Sequence, residues 1–199
     1  HRIELAEEFR AGRAGAPKTF PEYLALEERL FAELRRRVLD DPTVADRALV
    51  GRYNPKSVPA QLALGGPHNR SYELVPPQPR GAVLLMHGLT DSPYSVRALA
   101  EVFHARGFYV LALRMPGHGT VPAGLLDTEW TDWYAAAALA ARHAAARAGG
   151  GPFYAGNVVL AAAFTYAETQ ATRMWKRVEP LDLFVQAGAF AGLATVPFD

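Results

Sequence analysis

Two short loops hold the residues best placed to do chemistry. His87-Gly88-Leu89-Thr90-Asp91-Ser92-Pro93 directly follows the apolar run Ala82-Val83-Leu84-Leu85-Met86, and Arg114-Met115-Pro116-Gly117-His118-Gly119-Thr120 follows a second run, Tyr109-Val110-Leu111-Ala112-Leu113. Gly88 has no Cβ, so the first loop can approach a ligand closely and offer it main-chain N–H groups. The chemistry served by such groups is acyl transfer, in which negative charge builds on the carbonyl oxygen. Two fixed N–H groups aimed at that oxygen stabilise the transition state, each by about 3–4 kcal/mol. Other chemistries are poorly supplied. There is no cysteine, which excludes disulfides, thiolate metal ligands and cysteine nucleophiles. The six histidines are scattered and no His-Glu-x-x-His pattern occurs, so no metal site is expected. No Gly-x-Gly-x-x-Gly follows the first apolar run and no Gly-x-x-x-x-Gly-Lys is present, so no nucleotide or other cofactor is expected.

Behind these loops the chain reads as alternating helices and strands. Thr19 with Glu22 three residues later forms a capping-box pattern, and Pro21 falls in the first turn, where its missing N–H costs nothing. Leu26, Leu30, Leu34 and Val38 then recur near helical spacing until Asp40-Asp41-Pro42 closes the element. This helix is expected on the outside of the core. A Pro- and Gly-rich link, 53–69, precedes an extended piece at 71–75. The two apolar runs suit strands buried on both faces of a parallel sheet. Between them a helix is expected from about Pro93 to Arg106, with Leu99, Val102 and Phe103 inward, Ser92 as its N-cap and Gly107 as its left-handed stop. Strand, helix and strand in about 30 residues make a βαβ unit. A tight turn at Pro116-Gly117-His118-Gly119 leads to a helix from about Thr131 to Arg147, with Thr131 as N-cap and Asp132 favourable in the first turn. Phe153-Tyr154 starts a further strand, and 181–187 reads as another.

The two loops, about 30 residues apart with a helix between, resemble the oxyanion-hole loop and the following strand-end loop of the α/β-hydrolases. The likeness is strongest to the bacterial branch containing monoacylglycerol lipases and serine aminopeptidases, and it runs from roughly Asn69 to Tyr154. The resemblance implies an α/β fold with a mostly parallel sheet and flanking helices, incomplete here and preceded by an N-terminal helix. Residues 1–68 would be a helical extension and linker, and 69–199 a partial hydrolase core. It also implies a hydrolase of carboxylic esters, esterase- or lipase-like, acting on a small ester or lipid-like substrate. The backbone N–H of Leu89 would be one oxyanion donor, supported by His87 and Gly88, with the second donor following the nucleophile. His87 reads as a brace for the loop rather than a proton carrier, and His118 as a surface or loop-bracing residue. Ser95 is tolerated within its helix, Gly117 and Gly119 are turn residues, and Trp130 and Trp133 read as core or interface packing.

The resemblance also shows what is lacking. The family's Gly-x-Ser-x-Gly elbow should follow the strand begun by Phe153-Tyr154. Aligning Gly156 with its first glycine puts Val158 at the serine and Leu160 at the last glycine, and valine has no atom that can attack a carbonyl. The serines are Ser57, Ser71, Ser92 and Ser95, all upstream, and no histidine follows His143. Nucleophile, acid and base therefore stay unassigned, with Asp182 and Asp199 as candidate acids that read more simply as loop or strand-end residues. Three accounts remain open. Residues carrying the elbow are missing between the Gly156 region and a later segment. Or the chain is an altered or truncated copy that departs from its relatives after Tyr154. Or it is a catalytically inactive hydrolase fold that binds rather than cuts.

Composition sets the remaining bounds. Half of the 199 residues are hydrophobic and 21% are charged, as in a globular protein. A formal net charge of +1 argues against a nucleic-acid binder, and Arg35-Arg36-Arg37 reads as a solvated helix face. No apolar run approaches the ~20 residues that span a bilayer, so membrane anchoring is not visible. The first residue is His1 rather than Met, which leaves open an upstream signal or anchor, and with it the compartment.

Overall fold

The computed structural model describes residues 5–40, 54, 69–89 and 91–158. Helix α1, Phe20–Leu34, is followed by a π-helical turn, Arg35–Leu39. Strand β1, Tyr72–Leu74, and strand β2, Ala82–His87, come next. A 3₁₀ turn at Pro93–Val96 leads into helix α2, Arg97–Ala105, and then strand β3, Tyr109–Leu113. After a second 3₁₀ turn, Pro122–Leu125, the chain forms helix α3, Trp130–Ala145, and strand β4, Phe153–Val158. The expected strand at 181–187 lies outside the described residues.

The four strands form one sheet in the order β1-β3-β2-β4. β2 runs parallel to β3, with Ala82 opposite Tyr109 and Met86 opposite Leu113, and parallel to β4, with His87 opposite Val158. β1 is antiparallel to β3. The continuous apolar runs have a direct cause. Val83, Leu85, Val110 and Ala112 pack with Val96, Ala100 and Phe103 of the α2 side. Their alternating neighbours Ala82, Leu84, Leu111 and Leu113 pack with Ala136, Leu139, Ala140 and Ala144 of α3. Side chains of period two thus meet helices on both faces, and neither face is left to water. Fully burying a side chain such as Leu84 or Leu85 contributes about 1.5–3 kcal/mol. The alanines of α3 favour the helix and let it sit close on the sheet.

Helix α1 does more than cover the outside. Phe20, Tyr23 and Leu26 share the cluster of Leu84, Leu111 and α3, and Phe9 from the preceding segment joins them. Its start follows the capping pattern: the Glu22 N–H donates to Thr19 Oγ1 at 3.4 Å, while the Glu22 carboxylate accepts from the Lys18 N–H at 2.8 Å. Leu26, Leu30, Leu34 and Val38 are buried, and Arg35, Arg36 and Arg37 are exposed.

Three local expectations are corrected. Val102 is 43% exposed, because a helix of nine residues preceded by a 3₁₀ turn faces Ala100 and Phe103 to the sheet and turns Val102 outward. Helix α3 starts one residue before Thr131, and Glu129 is its N-cap: its side chain caps the first turn, and the Asp132 carboxylate accepts from the Glu129 N–H at 3.1 Å. Ser92 does occupy the N-cap position before Pro93, but its hydroxyl makes no capping bond. Gly107 takes the left-handed conformation expected of a helix stop, with φ 83°. Among the described residues, no helix is long and apolar enough to cross a membrane.

Candidate functional site

Because β2 and β3 are parallel neighbours, the loops leaving their C-terminal ends lie side by side, and histidine side chains cross between them. His87, the last residue of β2, is buried. Its Nε2 accepts the Met115 N–H at 3.1 Å, which places the ring proton on Nδ1, and Nδ1–H donates to the Gly88 carbonyl at 2.8 Å. Burial pushes the His87 pKa down to about 4, with the Gly88 hydrogen bond opposing and nearby His118 adding to the fall. The ring is therefore neutral near pH 7, as a bracing residue must be to accept from Met115. The Gly88 carbonyl also accepts from the Asp91 N–H at 3.2 Å.

His118 returns the contact from the other loop. Its Nε2 lies 2.7 Å from the Leu89 carbonyl and its Nδ1 3.0 Å from the Pro116 carbonyl. Both ring nitrogens thus face carbonyl oxygens, which only accept, and the contact to Leu89 is the shorter; the Pro116 carbonyl also receives the Trp133 indole N–H at 2.9 Å. The two imidazoles meet edge-on with centroids 4.9 Å apart. His118 is thus a buried brace and not a surface residue. Gly117 and Gly119 shape the turn around it with φ 81° and 74°. A Cβ on Gly117 would come within 2.6 Å of Thr128 Oγ1 and 2.8 Å of the Gly124 carbonyl, so the turn requires glycine for both space and conformation.

Arg114, fully buried, secures the base of this second loop. Its guanidinium donates to Glu8 through both Nη atoms at 3.2 and 3.0 Å, to Glu27 through Nε at 2.8 Å, and to the His118 carbonyl through Nη1 at 2.9 Å. Tyr23 donates to the Arg114 carbonyl at 2.7 Å, and the Arg114 N–H donates to Ser71 Oγ at 2.8 Å. Burial opposes the charge on Arg114, but Glu8, Tyr23 and Glu27 outweigh it and hold the guanidinium protonated. Burial pushes the Glu27 carboxyl above its usual range, with Arg114 and Ser71 opposing. This cluster was not expected from the sequence. The available signal was Glu27, a charged residue four positions from Tyr23 on the otherwise apolar face of α1.

Leu89 sits at the mouth of this arrangement. The residue is 59% exposed, and among the described residues its N–H has no hydrogen-bond acceptor. A cleft of about 160 Å³ lies between the loops, lined by Leu89, Asp91, Ser92, His118, Thr120 and Leu125 among others. That is below the ~300–1,000 Å³ typical of small-molecule sites. A larger open depression of about 520 Å³, around Arg10, Arg13, Asp127 and Asp132, shares none of these residues. Of the core or interface packing expected for the two tryptophans, Trp130 does not take the core role, being 71% exposed at the start of α3, whereas Trp133 packs partly buried against the core and bonds Pro116. Val158 closes β4 opposite His87, so the position aligned with the family's nucleophile is at the same end of the sheet as the two loops. Ser95 donates to the Ser92 carbonyl at 3.0 Å within its own turn.

Comparisons with known proteins find similarity to lipolytic enzymes over part of the chain. A thermostable monoacylglycerol lipase from Bacillus sp. (strain H-257) is 43% identical over 53 residues, and a carboxylesterase from Bacillus subtilis (strain 168) is 40% identical over 53 residues. Over these residues the chain is similar to α/β-hydrolase esterases and lipases. The matched residues are 27% of the chain and 21% and 22% of the two relatives, so the chain shares only about a fifth of their length. A solved structure reported with LipS and LipT, two metagenome-derived lipolytic enzymes, matches with 31% identity and a TM-score of 0.42, covering 56% of this chain and 43% of that one. No protein-family model matches the sequence.

Proposed function

We propose that this α/β-hydrolase chain carries the oxyanion-binding half of a serine ester hydrolase acting on small carboxylic esters or lipid-like acyl esters, with the Leu89 N–H as one donor. In this reading residues 69–199 hold the partial catalytic core, residues 1–68 form an N-terminal extension, and the serine nucleophile lies outside these 199 residues. The supporting observation is the Leu89 amide itself. It is uncommitted among the described residues, and it lies on a loop held from both sides, beside β4. A preorganised N–H of this kind, aimed at developing charge, costs no rearrangement at the moment of reaction. His87 and Gly88 support it by fixing the peptide unit to which that N–H belongs.

The test is hydrolysis of p-nitrophenyl esters by the complete gene product, with labelling by a serine-reactive phosphonate as the control. Turnover that is abolished by stoichiometric labelling supports the reading, and absence of both turnover and labelling removes it. One observation favours a second reading, a catalytically silent binding protein on the same fold: valine stands where the family places its serine, with no later histidine. An intact mass of the natural protein equal to these 199 residues supports that alternative, and a heavier chain counts against it.

A further inference from the structure

The peptide geometry around Leu89 assigns a role to His118 that goes beyond bracing a turn. Leu89 N–H belongs to the same planar unit as the Gly88 carbonyl, and in a trans peptide the two point in opposite directions. Fixing the Gly88 carbonyl therefore aims the Leu89 N–H, and two donors fix it: His87 Nδ1 at 2.8 Å and the Asp91 N–H at 3.2 Å. One plane held in this way can still swing if the next plane is free. The next plane carries the Leu89 carbonyl, and its partner is His118 Nε2 at 2.7 Å. His118 is in turn tied by its own carbonyl to the Arg114 guanidinium, which Glu8 and Glu27 hold from the N-terminal segment and α1.

We propose that His118 is a positioning residue for the Leu89 amide: it locks the second of the two peptide planes flanking Leu89, and Arg114 with Glu8 extends that lock to the N-terminal segment. The inference rests on the oxyanion reading for its catalytic consequence, but its structural half stands independently. A brace that acts on the amide changes catalysis without changing ground-state binding, because the oxyanion exists only after attack. It also changes the local opening of the loop without unfolding the sheet.

The experiment uses the complete protein as wild type and as His118→Ala, His118→Gln and Glu8→Gln. Two readouts are taken: p-nitrophenyl ester kinetics, and backbone hydrogen exchange of residues 88–92 by mass spectrometry, with thermal unfolding as the control for folding. His118→Ala is expected to speed exchange of 88–92 by about tenfold while β2 and β3 remain protected. It is expected to lower kcat by about tenfold with KM within about twofold of wild type. His118→Gln, whose amide N–H can reach the Leu89 carbonyl, restores kcat to within about threefold of wild type, and Glu8→Gln lowers it by about two- to threefold. Unchanged exchange at 88–92 in His118→Ala overturns the proposal. So does a kcat loss that His118→Gln fails to restore although it is folded. If His118→Ala does not fold, His118→Phe, which keeps the ring's bulk and removes the donor, takes its place: unchanged exchange and kcat in that folded variant overturn the proposal, and unchanged kcat in Glu8→Gln overturns the Arg114–Glu8 extension. A wild type without turnover overturns the ester hydrolase reading alone, and the exchange readout still decides the positioning role.

Discussion

The loop after β3 is buried from Arg114 through His118, whereas the loop after β2 leaves Leu89 59% exposed at the edge of a cleft. The first is rigid by its own means: a charge cluster at its base, an indole N–H on Pro116, and two glycines in left-handed conformations. The second has a single glycine and a short turn of its own, and it borrows its rigidity through His87 and His118. The difference suggests a division of work. One loop is scaffold, and the other presents main-chain groups while its side chain stays incidental. Such a division follows from parallel pairing, which puts two strand ends level and lets one loop be held by its neighbour.

The contrast can be broken most strongly at the scaffold. Arg114→Met leaves Glu8 and Glu27 buried without their cation and is expected to cost about 3–5 kcal/mol in urea unfolding. Adding Glu8→Gln and Glu27→Gln to that variant should recover part of the loss, since the uncompensated charges are then gone. The link between the loops comes next. His87 is neutral in the fold with a pKa of about 4 against an ordinary 6.5, so the unfolded chain takes up a proton first as pH falls. Its contribution is fully present above pH 6.5 and is lost as pH drops toward 4, by up to roughly 3 kcal/mol. Unfolding curves across that range should show the slope in wild type and a flatter one in His87→Asn. Gly117→Ala forces a Cβ into the 2.8 Å approach of the Gly124 carbonyl at φ 81°, and thermal unfolding should report a loss of about 1–3 kcal/mol. The smallest effect is expected at the presenting loop: Leu89→Ala should change stability by less than about 0.5 kcal/mol and kcat by less than about twofold, because the role proposed for it is carried by the backbone.

Much of this organisation was legible in the residues. The runs at 82–86 and 109–113 announce strands covered on both faces, and the glycines at 117 and 119 announce a turn. What escaped had physical reasons. Val102 looks inward by spacing alone, but a short helix entered through a 3₁₀ turn is rotated relative to a full-length α-helix. Thr131 is a good cap by residue type, yet Glu129 and Asp132 satisfy the first turn reciprocally and move the start of the helix. Trp130 is large and apolar, but at the first position of α3 it projects away from the sheet that buries Ala136 and Ala140. The Arg114 cluster joins residues 8, 27, 71 and 114, and no local pattern reports contacts of that sequence separation. His118 was left between a surface and a loop-bracing role because its burial depends on the β2 loop packing against it, which its own glycine neighbours do not report.

The central claim is that the Leu89 main-chain amide faces the oxygen on which charge develops. It is tested most directly by a crystal structure of the complete protein labelled with a serine-reactive phosphonate. The account predicts the phosphonyl oxygen within about 3 Å of the Leu89 nitrogen, with His118 still on the Leu89 carbonyl. A labelled enzyme whose phosphonyl oxygen is held elsewhere, with the Leu89 N–H turned away from it, would contradict the account.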